Sequence, residues 1–372
     1  MSDVLLLDEL ATASGRRFGL ATLNAPAALN ALSLEMVRAL LPALRAWAAD
    51  ANIAGVVLQG AGEKAFCAGG ELRELYQSIR AYGSAPNPYA ASFFGEEYTL
   101  DYAIHTYPKP LVCWGHGIVM GGGIGLMAGA SHRVVTEKSR LAMPEINIGL
   151  YPDVGGSAIL RRMPGRVGLF LALTGASLNA ADAQFCGLAD FSVRADSRDE
   201  VLAAIRAALW SDDATANKKQ LSQLLSRYVS SVSLESKALQ HFDIINALVA
   251  GDDLRVIDTR LRLFTSDDAW LATAAATYAK GSPTSAALAF ALWQRVPPLS
   301  LADVFRLEYQ VSLGCCAHAD FVEGIRALLI EKDRRPRWQP PALADVTPAL
   351  VEDHFRLRFT GPHPLAALAG GT

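Results

Sequence analysis

Met120-Gly121-Gly122-Gly123-Ile124-Gly125-Leu126-Met127-Ala128-Gly129-Ala130 follows the apolar run Leu111-Val112-Cys113-Trp114 and leads, through Ala142-Met143-Pro144-Glu145, to Tyr151-Pro152-Asp153-Val154-Gly155-Gly156. The apolar run reads as a strand, and the glycines read as the loop after it and the start of a short apolar helix. Backbone N–H groups at such a start aim at whatever lies above it, where the helix dipole favours negative charge. Two carboxylates, Glu145 and Asp153, then follow eight residues apart. A Gly-rich donor loop with paired acids suits chemistry on an activated carbonyl.

Composition narrows the possibilities. At 372 residues, 51% hydrophobic and 19% charged, the chain can bury a large core and reads as two domains or one domain with an extension. A net charge of −3 with no long block of like charge argues against a nucleic-acid partner. No apolar run reaches the length needed to span a bilayer, so no membrane association is expected. The start Met1-Ser2-Asp3-Val4 carries an acid where a secretory or transit peptide would be basic, and the expected setting is cytoplasmic. Five cysteines, Cys67, Cys113, Cys186, Cys315 and Cys316, show no CxxC or Cys/His zinc spacing, so reduced thiols and no metal are expected.

Outward from the glycines, a repeating order emerges. Val4–Leu10 and Phe18–Leu23 read as a hairpin, and Ser33 opens an amphipathic helix with Leu34, Val37, Leu40, Leu41, Leu44 and Trp47 at helical spacing. Pro42 inside that helix suggests a kink. Ala54–Gly60 is a continuous apolar strand, followed by the loop to Cys67-Ala68-Gly69-Gly70 and a helix from Glu71. Phe93–Ile104 reads as a further helix before the next strand and the triple glycine. Arg133–Thr136 and Phe191–Val193 are later strands, with small helices at Gly156–Arg162, Val167–Thr174 and Ala180–Cys186. Beyond about residue 195 only helical periodicity remains, including Ser236–Val249, Leu301–Leu313, Phe321–Lys332 capped by Asp320, and Leu343–Phe355. The expected division is an α/β portion, residues 1–195, and an all-helical portion, residues 196–372, covering it.

Each motif has a plainer reading. Gly123-Ile124-Gly125-Leu126-Met127-Ala128 fits G-x-G-x-x-A, but the acid about twenty residues on, Glu145, follows a proline rather than ending a strand, which disfavours a dinucleotide site. Neither a G-x-S-x-G elbow nor a Gly-Lys pair for a P-loop is present. His116 at a strand end reads as structural and Cys67 as a buried filler. Gly69-Gly70 and Gly121-Gly122-Gly123 could serve only tight strand-to-helix packing. Read together, they are two loops able to bring backbone donors to one oxyanion. Pro-Glu and Pro-Asp pairs commonly open helices. Here both acids lie in apolar sequence, where burial would lift a carboxyl toward a useful range.

Asn24–Leu32, Ala65-Phe66-Cys67-Ala68-Gly69-Gly70, Met120-Gly121-Gly122-Gly123 and Pro144-Glu145, in this order, resemble the motifs of the crotonase (enoyl-CoA hydratase/isomerase) superfamily. Glu323-Gly324 through Lys332, with Arg334-Arg335-Pro336-Arg337-Trp338, is similar to its C-terminal segment, displaced by an insertion. The resemblance implies a crotonase-like ββα spiral core with an extended all-helical C-terminal region. It further implies an acyl-CoA substrate, an oxyanion hole of the Gly70 and Gly122 N–H groups and no cofactor beyond the CoA of the substrate; of homo-oligomers the superfamily favours trimers, while a self-contained helical lid leaves a monomer or dimer open. Hydratases of the superfamily carry two catalytic glutamates. Glu145 matches the second, while the first falls at Gly125. Asp153 stands where hydratases usually have glycine. That exchange, together with Phe93-Phe94-Gly95-Glu96-Glu97-Tyr98, resembles the 3-hydroxyisobutyryl-CoA hydrolase branch. That branch implies thioester hydrolysis in valine degradation, with Glu145 and Asp153 catalytic and Glu97 touching the substrate. Two other readings remain: an isomerase or hydratase working with one carboxylate, and a non-catalytic crotonase-like binding protein.

Overall fold

The computed structural model describes residues 4–230 and 234–368. Met1-Ser2-Asp3, on which the expectation about the chain start rests, lies outside the described residues. The described chain divides into two compact units, interleaved along the sequence. The first comprises Met1–Gly70, Leu100–Leu141 and Leu178–Leu239, and the second Glu71–Thr99, Ala142–Ser177 and Gln240–Thr372.

The first unit is built on a six-stranded sheet. The hairpin is present: β1 (Leu5–Ala11) pairs antiparallel with β2 (Arg17–Leu23). Helix α1 (Leu34–Ala49), capped by Ser33 and running through Pro42, leads to β3 (Ile53–Gly60), which pairs parallel with β2. Then β4 (Ala65–Cys67) turns away into a second sheet. The same step recurs with β5 (Leu111–Gly115) and β6 (Ile118–Met120), and again with β7 (His132–Thr136) and β8 (Arg140–Ala142). Each repeat therefore gives one strand to the large sheet, ordered β1-β2-β3-β5-β7-β9 with β9 at Phe191–Val193, and one to the small sheet, β4-β6-β8.

A parallel sheet covered on both faces needs strands that are apolar throughout, and β3 and β5 are buried almost end to end. One face packs Phe18, Val57, Val112, Trp114 and Val134 against Ile205 and Leu221 of the following helices and Trp210 of the segment between them. The Phe18 and Trp210 rings lie 4.7 Å apart between centroids. Helix α1 lies against β1, β2 and β3 through Leu40, Leu44 and Trp47, among others.

The second unit is helical. It holds α2 (Leu72–Tyr82), capped by Glu71, and most of α3 (Pro88–His105). A 3₁₀ turn at Glu145–Ile148, then α4 (Gly156–Arg161) and the wholly buried Val167–Thr174 helix follow. From Gln240 on, the described residues form helices and connecting segments, the longest helix being Leu301–Ala317.

Local differences from the sequence reading have identifiable causes. The three-residue strands β4, β6 and β8 are too short to show a period and read as loops. Ser236–Val249 is broken into Lys237–Gln240 and Phe242–Leu248. Asp320 is not a cap: its helix starts at Ala319, and its carboxylate accepts from the Ser282 hydroxyl and the Gln339 N–H. That helix widens into a π turn at Arg326–Ile330. Leu343–Phe355 splits ahead of Pro348, which opens its own helix at Pro348–His354.

The Gly-rich stretch is a packing necessity as well as a donor loop. A Cβ on Gly123 would fall 2.3 Å from the Cys67 carbonyl oxygen, a backbone atom of β4. Gly123→Ala should therefore force the short Gly122–Ala128 helix away from β4 and cost about 1–3 kcal/mol in urea unfolding. An unchanged midpoint would show that this close approach does not matter.

Candidate active site

In the first unit the two donor loops adjoin. The Cβ position of Gly69 lies 3.4 Å from the Met120 carbonyl oxygen and 4.0 Å from the Gly121 Cα. Gly121 has φ 48° and ψ −120°, open to glycine and strained for other residues, and it turns β6 directly into the Gly122–Ala128 helix. Gly122 is thus the first residue of that helix, where an N–H has no acceptor within the helix. Gly70 pairs with Leu32 through an isolated parallel bridge, which holds its loop beside the Asn24–Leu32 segment. Gly125 lies inside the helix, buried. His116 contacts the Gly62 carbonyl through Nε2 at 2.9 Å, in keeping with a structural role. All five cysteines are free and buried.

The second unit gathers the three acids singled out from the sequence. Glu145 opens the 3₁₀ turn directly after Pro144 and is 4% exposed. Its Oε2 is buried without a hydrogen-bond partner among the described residues, as an oxygen reserved for a ligand or water would be. Burial first, and then the charge of Asp153, raise its carboxyl well above the ordinary value. Glu97 on α3 is buried and raised for the same two reasons in the same order. Asp153 is buried too, and burial pushes it up to about 6, although the Tyr98 hydroxyl pulls the other way. Burial and the charge of Asp153 thus both oppose ionisation of Glu97 and Glu145.

The loop carrying Asp153 is held by residues that sequence reasoning missed. Tyr98 donates to Asp153 Oδ2 at 2.6 Å and lies 2.7 Å from Ser312 Oγ. Ser312 Oγ is in turn 2.9 Å from the Tyr151 hydroxyl, which donates to the Glu308 carbonyl at 2.6 Å. The Glu308 side chain accepts from the N–H groups of Gly155 at 2.7 Å and Ser157 at 3.1 Å, and from the Ser157 hydroxyl. Burial pushes the Glu308 carboxyl up to about 8 against the pull of these donors. One signal was available: Glu308 is an acid four residues after Val304 and four before Ser312, on the buried face of the Leu301–Ala317 helix. Tyr98 belongs to the Phe93–Tyr98 run, but no local pattern ties it to Asp153, 55 residues on.

Residues 18–355 match the family model described as enoyl-CoA hydratase/isomerase. The chain is 40% identical over 344 residues to the mitochondrial 3-hydroxyisobutyryl-CoA hydrolase of Danio rerio, covering 91% of this chain and 86% of that protein. It is 35% identical over 345 residues to the human protein of the same name, with the same coverage. Among solved structures, a carnitinyl-CoA dehydratase from Mycobacterium thermoresistibile superposes with a TM-score of 0.84 at 36% identity, over 96% of this chain and 97% of that one. An enoyl-CoA hydratase from Rhodobacter sphaeroides 2.4.1 gives 0.82 at 36%, over 95% and 97%.

The raised carboxyl of Asp153 has a consequence for stability. Its folded value of about 6 lies above the ordinary 3.8, so the folded state binds the proton more tightly. The contribution to stability is fully present below about pH 4 and is lost as pH rises through 6, a difference of about 3 kcal/mol by neutrality. Asp153→Asn, which keeps the shape without the charge, should melt higher than the parent at pH 7 and show no such advantage near pH 4. Equal melting curves at both pH values would mean that Asp153 carries no buried-charge penalty.

Proposed function

The chain belongs to the enoyl-CoA hydratase/isomerase family, and on that footing we propose that it is an acyl-CoA thioester hydrolase acting on 3-hydroxyisobutyryl-CoA. The observation that carries the reading is the pair of buried acids Glu145 and Asp153 in the second unit, with a glycine, Gly125, where a hydratase would have its other glutamate. Addition of water across a double bond uses two positioned glutamates. Hydrolysis of a thioester needs one group to deliver water or attack the carbonyl and one to manage the leaving group. The hydrolase names borne by the relatives at 35–40% identity support the same choice.

In this reading the Gly70 and Gly122 N–H groups take the thioester oxygen, each donor contributing about 3 kcal/mol to the transition state. Glu145 acts on the carbonyl carbon, either through a water it deprotonates or by attack to give an anhydride that water then opens. Both routes consume one water, break the C–S bond and leave a carboxylic acid and the CoA thiol. Asp153 handles the proton that passes to the departing sulfur, and Glu97 contacts the substrate in the acyl pocket. The chemistry draws on no resident cofactor or metal.

Glu145→Ala should retain the circular dichroism and melting behaviour of a folded chain while free-thiol release from 3-hydroxyisobutyryl-CoA falls by about 10²–10⁴-fold. The unmodified chain should leave the double bond of crotonyl-CoA unhydrated in a spectrophotometric assay. Thiol release retained in the variant would remove Glu145 from the mechanism. Rapid hydration of crotonyl-CoA would favour the single-carboxylate hydratase instead.

A further inference from the structure

Four oxygen-to-oxygen bridges run in series through the second unit: Asp153 to Tyr98, Tyr98 to Ser312, Ser312 to Tyr151, and Tyr151 to the Glu308 carbonyl. They measure 2.6, 2.7, 2.9 and 2.6 Å, so each is a hydrogen bond and each needs a proton. The three hydroxyls supply one proton apiece and the carbonyl none. With Asp153 ionised, three protons must serve four bridges. Tyr151 is committed to the carbonyl and Tyr98 to the carboxylate. Ser312 then faces two hydroxyl oxygens with a single proton, and one bridge is left as a contact between lone pairs. A proton on Asp153 completes the series: Asp153 gives to Tyr98, Tyr98 to Ser312, Ser312 to Tyr151, and Tyr151 to Glu308. The series is buried along its length, which shields the unmatched pair of oxygens from bulk water.

We propose that Tyr98 and Ser312 are positioning residues for Asp153, forming a hydroxyl relay in which the Asp153–Tyr98 bond reverses direction when Asp153 gains or loses its proton. Tyr98 stays bonded to the carboxyl in both states, as donor to the ionised form and acceptor from the protonated form, so the side chain keeps its place through the cycle. Ser312 opposes ionisation, because its one proton leaves a bridge empty whenever Asp153 is charged. The proposal rests on the reading of Asp153 as the group that manages the proton of the leaving thiol.

Two substitutions separate the roles. Tyr98→Phe removes the charge-assisted bond to the ionised form and only a neutral one from the protonated form, so Asp153 should titrate higher. Ser312→Ala removes the short-handed bridge: Tyr98 then gives to Asp153 and Tyr151 to Glu308, with every remaining bridge filled in the ionised state. Asp153 should titrate lower. The other titratable groups facing Asp153 are Glu97 on α3, Glu145 on the 3₁₀ turn, Tyr151 on its own loop, and Glu308, Cys315 and Cys316 on the Leu301–Ala317 helix. Arg358 lies beyond the two cysteines. None of these groups is replaced in either variant, so they do not account for shifts of opposite sign.

The experiment follows the carboxyl resonance of ¹³C-labelled Asp153 against pH in the full chain, assigned by its loss in Asp153→Asn, together with the pH dependence of thiol release. The expected result is a midpoint about half a pH unit or more higher in Tyr98→Phe and lower in Ser312→Ala, with the limb of the activity profile moving the same way. Midpoints that stay put, or that move in the same direction in both variants, overturn the relay. If Tyr98→Phe does not fold, the downward shift in Ser312→Ala decides the question alone. Opposed shifts in a chain that releases no thiol would uphold the relay and remove the hydrolase reading. Thiol release with unshifted midpoints would do the reverse.

Discussion

The geometry of the acidic site depends on one carboxylate that touches no substrate in this reading. Glu308, fully buried on the Leu301–Ala317 helix, takes the N–H groups of Gly155 and Ser157 and the Ser157 hydroxyl. Those N–H groups belong to the start of α4, where no main-chain acceptor within the helix exists. The turn before them is strained: Val154, a β-branched residue, has φ 52°, followed by Gly155 at φ 79°. A left-handed β-branched residue costs about 1–3 kcal/mol and persists only where its surroundings over-determine it. Glu308 supplies that determination from the C-terminal side and Tyr98 from the N-terminal side, with Asp153 between them.

Such an arrangement is expensive in stability. Glu97, Glu145 and Asp153 are all held where burial opposes their charge, and each one that ionises makes the next harder to ionise. No structural need explains three acids there, since apolar residues of similar volume would pack the same space without a desolvation penalty. Concentrated cost of this kind marks a functional site more reliably than any single motif. The unpartnered Glu145 Oε2 belongs to the same pattern: a buried acceptor is left open in a unit whose neighbouring polar groups, Asp153 and Glu308, are closely engaged.

Much of the fold was legible because its signals are local. The Ser33 cap, the apolar run of β3, the glycines after β5 and the small helices near Gly156 and Val167 lie where periodicity and turn chemistry put them. The three-residue strands of the small sheet were not legible, because they exist only through pairing with distant partners: Ala65 with Ile118, and Cys67 with Val119. The acids Glu145 and Asp153 could be picked out from apolar context and resemblance. Their supports could not, since Tyr98, Ser312 and Glu308 reach the 151–157 loop from sequence positions as much as 214 residues apart. Asp320 failed as a cap for a related reason: long-range donors, Ser282 and the Gln339 N–H, outcompeted the local role.

Family membership leaves the reaction open, since the family name spans hydratases and isomerases and the relatives include hydrolases. The choice must come from which protonatable groups the site can use. A bare Gly125 offers no proton. Asp153 is a titratable group, with burial and the relay of hydroxyls favouring its protonated form and the bond from Tyr98 favouring its ionised form. A group held near balance between its two states is suited to pass a proton once in each direction per turnover, which is what a departing thiolate requires and what a permanently charged carboxylate could not provide. Glu145 is raised as well, by burial first and then by the charge of Asp153, and gains basicity as a carboxylate. The two acids differ in their partners, Asp153 being bonded to Tyr98 while Glu145 keeps one oxygen open, and a pair with separate donor and acceptor duties needs such a difference.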